Sequence, residues 1–120
     1  MRVRYHVLVP GNSLALADGF LGLASVVLLN TGAGPVLFHT GHHATKRRPL
    51  NALAHRGLSP ADVAAVVLSH LHLDHAHNLE VFAHARVYVS AAECAYAREQ
   101  HPDDLYVPGH LLGQLDAMET

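Results

Sequence analysis

The chain has 120 residues, half of them apolar and 15% charged. That balance belongs to a folded protein rather than a disordered one, and the length allows a single domain, residues 1–120, with one modest core. A formal charge of −2 offers no basic surface for nucleic acid, and a lone cysteine, Cys94, excludes an internal disulfide framework or a CxxC zinc or redox site. Twelve histidines are the outlying figure, since neutral imidazole is a common metal ligand that titrates near neutrality.

In chain order, residues 3–9 predict a first strand, stopped by Pro10-Gly11. Their apolar run, Val7-Leu8-Val9, is too short for a signal peptide. Residues 12–19 suggest a polar loop. The apolar stretch 20–29 is about half of what a membrane-spanning helix needs. The expectation is a cytoplasmic protein with no membrane partner. Residues 25–29 and 35–38 predict two strands joined by the turn Asn30-Thr31-Gly32-Ala33-Gly34, an antiparallel hairpin.

A basic stretch, residues 41–48, precedes a helix marked by Leu50, Leu53, Ala54 and Leu58, with Gly57 as its stop. Ser59-Pro60-Ala61-Asp62 predicts a capped helical turn. Residues 63–68 are continuously apolar, which suits a strand buried on both faces. A strand at 86–89 follows. Ser90-Ala91-Ala92-Glu93 is a capping-box pattern opening a helix over 91–100. Leu111, Leu112, Leu115 and Met118 mark a last helix. The layout is α/β. The predicted helices cover one face of the buried strand. The other face calls for a second sheet, another chain, or residues absent here.

Directly after that strand stand His70, His72, Asp74 and His75. On a helix, positions 70 and 74 share a face and 72 points roughly 200° away. An extended segment instead aligns 70, 72 and 74, and a turn brings in 75. Three imidazoles and a carboxylate within six residues form a borderline-soft N/O site, suited first to zinc, with iron or manganese as alternatives.

Ser69-His70-Leu71-His72-Leu73-Asp74-His75 resembles the signature of the metallo-β-lactamase-fold hydrolases. The resemblance extends to Val36-Leu37-Phe38-His39-Thr40-Gly41, to residues 53–67, and to Asn78, residues 82–89 and Glu93. These flanks are most similar to the N-acyl-homoserine-lactone lactonase-like branch. The resemblance implies the N-terminal half of an αββα sandwich, a mixed sheet with helices on one face. It also implies two metal ions, one on His70 and His72 and one on Asp74 and His75. Chemically it implies hydrolysis by a metal-activated water, with Asp74 orienting that water or receiving its proton. Small-molecule lactones, esters or thioesters are the expected substrates.

The chain departs from that family in three ways. It covers about half the usual length. The third histidine of the first metal, the bridging aspartate and the final histidine are not found. Pro108-Gly109-His110 resembles the third-histidine motif, but no strand-like run precedes it. His39 stands where the family has Asp, either supporting the loop without a negative charge or joining the metal site with His42 and His43. The bland reading of His42 and His43 is a solvated loop beside Lys46-Arg47-Arg48. His55, His84 and His101 read as surface residues, and Tyr88, Tyr96 and Tyr106 as core or rim. The incomplete ligand set leaves a second reading, a non-catalytic metal-binding module that needs a partner chain. A homodimer covering the exposed sheet is the expected assembly.

Overall fold

Residues 26–38 pair as their turn chemistry predicts. In the computed structural model, which describes residues 3–108 and 110–118 (side chains of 13, 14, 16 and 19–21 excepted), β4 (Val26–Thr31) and β5 (Gly34–Phe38) form an antiparallel hairpin. Gly34 takes the turn's positive φ of 115°. The first strand, β1 (Arg4–Val9), pairs antiparallel with β4 and carries a bulge between Val7 and Val9. The apolar run after the helix supplies β6 (Ala65–Val67), parallel to β5, and β7 (Arg86–Tyr88) lies parallel to β6. The sheet is therefore mixed, in the order β1-β4-β5-β6-β7.

Residues 12–19 are not a loop. They supply β2 (Asn12–Leu16) and the start of β3 (Gly19–Leu23), a separate antiparallel hairpin with Asn12 opposite Leu23. Asn12, Ser13 and Asp18 hid the strand period, and only backbone pairing reveals it.

Helix α1 (Arg47–Ala54) starts inside the basic stretch, with Pro49 tolerated in its first turn, and Gly57 follows at φ 72°. The turn at Pro60–Asp62 is a 3-10 helix, with Ser59 N–H donating to Asp62 Oδ2 at 2.8 Å. Helix α2 (Leu73–Ala76) is a single turn. Helix α3 (Ala91–Glu99) is capped by Ser90, whose Oγ accepts from Glu93 N–H at 3.1 Å. Helix α4 is His110–Ala117.

Leu28, Leu37, Val66 and Val87 point to the helical side of the sheet and are buried with Leu53 of α1, Ala97 of α3 and Leu111 and Leu115 of α4. Each such leucine or valine side chain contributes about 1.5–3 kcal/mol on burial. The opposite face is apolar and open. Tyr5 and Val7 are 71% and 52% exposed, Leu29, Phe38 and Val67 are half-buried in register beside them, and Tyr88 at the far edge is 52% exposed. Helices on one face and an uncovered apolar second face are what the sequence led us to expect.

Candidate metal centre

The loop between β6 and α2 begins at the C-terminal edge of a parallel pair, where α/β sheets place their sites. Four anchors fix it. Leu71 N–H donates to Glu93 Oε1 at 2.8 Å, and Leu73 N–H to the Tyr106 carbonyl at 2.7 Å. Thr40 N–H donates to the His75 carbonyl at 2.7 Å. Asn78 Nδ2 donates to the carbonyls of Thr40 at 2.9 Å and His42 at 3.1 Å. Leu71 is fully buried beneath. Glu93 therefore does not complete the capping box expected of it. Its carboxylate is spent on the loop instead.

The loop is a hybrid of the two conformations weighed from the sequence. His72 is extended, at φ −65° and ψ 150°, and Asp74 and His75 lie on the turn of α2. The structure brings all four residues together. Ring centres of His70 stand 4.8 Å from His72 and 4.0 Å from His75, and His75 Nε2 lies 3.4 Å from Asp74 Oδ1. Strand β3 passes over them, and a Cβ at Gly22 would lie 3.3 Å from Asp74 Oδ2.

Each imidazole has one nitrogen occupied. Ser69 Oγ is 2.8 Å from His70 Nδ1 and 2.8 Å from His39 Nε2. His39 Nδ1 in turn is 3.1 Å from His75 Nδ1. His72 Nε2 is 2.9 Å from Asp104 Oδ2, which also accepts from Tyr96 O–H at 2.6 Å, and Asp104 Oδ1 accepts from Tyr106 N–H at 3.1 Å. Those contacts hold the Asp104 carboxyl down at about 2, the Tyr96 hydroxyl first and His72 second. Left unoccupied by these contacts are His70 Nε2 and His72 Nδ1, while His75 Nε2 faces Asp74 Oδ1 at 3.4 Å.

His39 is buried and adopts φ 68°, a left-handed backbone rare for a non-glycine residue and more readily taken by Asn or Asp. Both of its ring nitrogens are engaged, so it bridges Ser69 and His75. Burial lowers its pKa. Burial, opposed by Asp74 and reinforced by His39, His70 and His72, brings His75 down to about 4. His75 is therefore neutral at neutral pH, the form that ligates metal.

The donor set fits a divalent ion in kind, with three imidazoles and a carboxylate on one loop. Among the described residues, no three or more His, Cys, Asp or Glu side chains are placed so that, as they stand, they could hold a metal ion together.

His110 does not lie with His70 and His72 in its ring contacts; it meets His77, at 5.5 Å. His42 and His43 also meet His77, at 6.0 and 5.0 Å. His55, His84 and His101 are exposed, as expected. Tyr88, Tyr96 and Tyr106 are all exposed, none in the core. Tyr96 and Tyr106 stand at the rim beside His72. Sequence reasoning missed Ser69, Asp104 and Tyr96 as partners of the loop. Ser69 was legible as its neighbour, whereas Asp104 and Tyr96 come close only through the fold.

Comparison with known proteins points to a family with this fold. The model of the Metallo-beta-lactamase superfamily matches residues 19–115. Metallo-beta-lactamase domain-containing protein 1 of Rattus norvegicus is 38% identical over 100 residues, which covers 83% of this chain and 38% of that protein. N-acyl homoserine lactonase AiiB of Agrobacterium fabrum is 36% identical, over 61% of this chain and 31% of its own length. Among solved structures, a quorum-quenching N-acyl homoserine lactone lactonase superposes with a TM-score of 0.65 at 25% identity, covering 92% of this chain and 52% of that one. An N-acyl homoserine lactone hydrolase, with product bound at its catalytic metal centre, gives 0.66 at 22% identity over 92% and 55%. The chain thus spans about two-fifths of the first curated relative and about half of these structures. With the mixed sheet, the loop and this match over most of its length, the chain belongs to the metallo-beta-lactamase superfamily.

Proposed function

We propose that this chain carries part of a zinc-dependent hydrolase centre that opens a lactone or cleaves a thioester. His70 and His72 would hold one ion, and Asp74 and His75 the second. The observation that carries the reading is the set of tethered imidazoles. With His75 Nδ1–H donating to His39 Nδ1, and His39 Nε2–H and His70 Nδ1–H both donating to Ser69 Oγ, the Nε2 lone pair of His70 remains available and that of His75 faces the Asp74 carboxylate, its proposed co-ligand. Likewise His72 Nε2–H donating to Asp104 leaves Nδ1 available. Such outer partners fix tautomer and ring orientation and raise ligand basicity.

When bound, the ions supply an acidified water and a polarised substrate carbonyl. Asp74 contributes a carboxylate at Oδ that orients the water or takes its proton. The lactone class is supported by the homoserine-lactone relatives. The remaining ligands would come from a partner chain or a longer polypeptide, consistent with the open apolar face.

The test is turnover of N-hexanoyl homoserine lactone and of a thioester by zinc-loaded protein, wild type against Asp74→Ala. The reading expects turnover where a second copy of this chain or the longer polypeptide supplies the remaining ligands, and its loss in the variant under the same conditions with the circular dichroism spectrum unchanged. Bound zinc without turnover would instead favour a non-catalytic metal-binding module. Equal turnover by both proteins would overturn the role of Asp74.

A further inference from the structure

A second group of histidines stands apart from the loop ligands. His77 caps the C-terminus of α2 in helical conformation. Two residues beyond His75, it points roughly 200° around the helix axis from it, so the two rings leave opposite sides of α2. His77 faces His43 at 5.0 Å, His110 at 5.5 Å and His42 at 6.0 Å between ring centres. Three chain segments therefore meet there: the 3-10 turn His43–Thr45, the end of α2 and the first residue of α4. Asn78, donating to the carbonyls of Thr40 and His42, holds the first two together.

Two imidazoles on one tetrahedral ion, each nitrogen about 2 Å from the metal, hold their ring centres about 5 Å apart. The spacings from His77 to His43 and to His110 match that figure. The Nδ1 atom of His77 is buried and has no hydrogen-bond partner. A buried imidazole nitrogen without a partner costs free energy, and a metal ion is one species that satisfies it. His42 is the least suited of the four, because its Nδ1 already accepts from Ala44 N–H at 2.9 Å. Glu80 supplies negative charge within electrostatic reach of His43, His77 and His110, although its carboxylate already pairs with Lys46 at 3.2 Å.

We infer that His43, His77 and His110 form a second, independent site for a late first-row divalent cation, with zinc as the working ion. Imidazole-rich donor sets select such ions over magnesium or calcium. As they stand, no three of the described donors are placed to hold an ion, so binding requires the rings to close on it by side-chain rotation. The site joins α4 to the metal loop, so its occupancy bears on how firmly the C-terminal helix is docked. It does not depend on the hydrolase reading.

The experiment is a zinc titration of the full chain followed by the imidazole ring resonances in NMR, wild type against the His43→Gln/His110→Gln double variant. Both residues are exposed, so the fold should persist, with circular dichroism as the check. In the wild type, the rings of His43, His77 and His110 shift together. In the variant, the His77 response needs at least about tenfold more zinc, and His70 and His72 respond as before. Unmoved His43, His77 and His110 rings at saturating zinc, or an unaltered His77 response in the variant, would overturn the inference. If only His70 and His72 stayed silent, the second site would stand and the loop reading would fall.

Discussion

Replacing Asp104 by Asn isolates the charge behind His72. The carboxylate accepts three hydrogen bonds, from His72 Nε2 at 2.9 Å and Tyr96 O–H at 2.6 Å on Oδ2 and from Tyr106 N–H at 3.1 Å on Oδ1. An amide keeps the shape and loses the charge. Whichever way it is turned, its NH₂ faces a donor, so at least one of the three bonds is lost. A hydrogen bond to a charged group is worth about 1.5–3 kcal/mol, and outer carboxylates on metal-binding histidines are worth about 10–100-fold in affinity, which agree. Zinc affinity at the loop should therefore fall by about 10–100-fold in Asp104→Asn, read by competition with a chromophoric chelator. Tyr96→Phe removes one bond and leaves the carboxylate on His72, so its effect should be smaller, less than about threefold. Affinity within twofold of wild type for Asp104→Asn, or an equal loss in Tyr96→Phe, would refute the argument.

Three further outcomes follow from the same geometry. His39→Asp places a carboxylate on His75 Nδ1, at a left-handed position Asp adopts more readily, and should raise zinc affinity by about tenfold or more in the same competition assay. His75 has its pKa lowered from 6.5 to about 4 in the fold, so between these values the unfolded chain binds more protons. Its contribution is intact above pH 6.5 and is lost as pH falls toward 4; urea denaturation of the metal-free protein should show this slope, and His75→Asn should flatten it. The open sheet face should drive self-association, so sedimentation should give a dimer that Tyr5→Lys/Val7→Lys converts to monomer; a monomer in both would refute self-association through this face.

The signature loop was legible because its three histidines and aspartate lie within six residues and follow an apolar run that suits a central strand. The hairpin of β4 and β5 was legible from its glycine turn, and the one-sided helical cover from the absence of apolar partners for the other face. The β2–β3 hairpin was not, because its polar residues mask the alternation and its stability comes from pairing. Asp104 lies 32 residues from His72 and Glu93 22 from Leu71; no local pattern predicts such contacts. His42 and His43 read as solvated because the ring they meet, His77, is distant in sequence. The helical turn at Asp74–His75 was hidden by the extended conformation that best aligned the other ligands.

The central claim is that His70, His72, Asp74 and His75 hold a divalent ion. Elemental analysis of zinc-loaded, desalted protein tests it most directly, in a His43→Gln/His110→Gln background that removes the other histidine cluster. At least one zinc ion per chain should remain in that background and should be lost when His70 and His72 are also changed to Ala. A background protein free of zinc, or one whose zinc survives those two changes, would contradict the account.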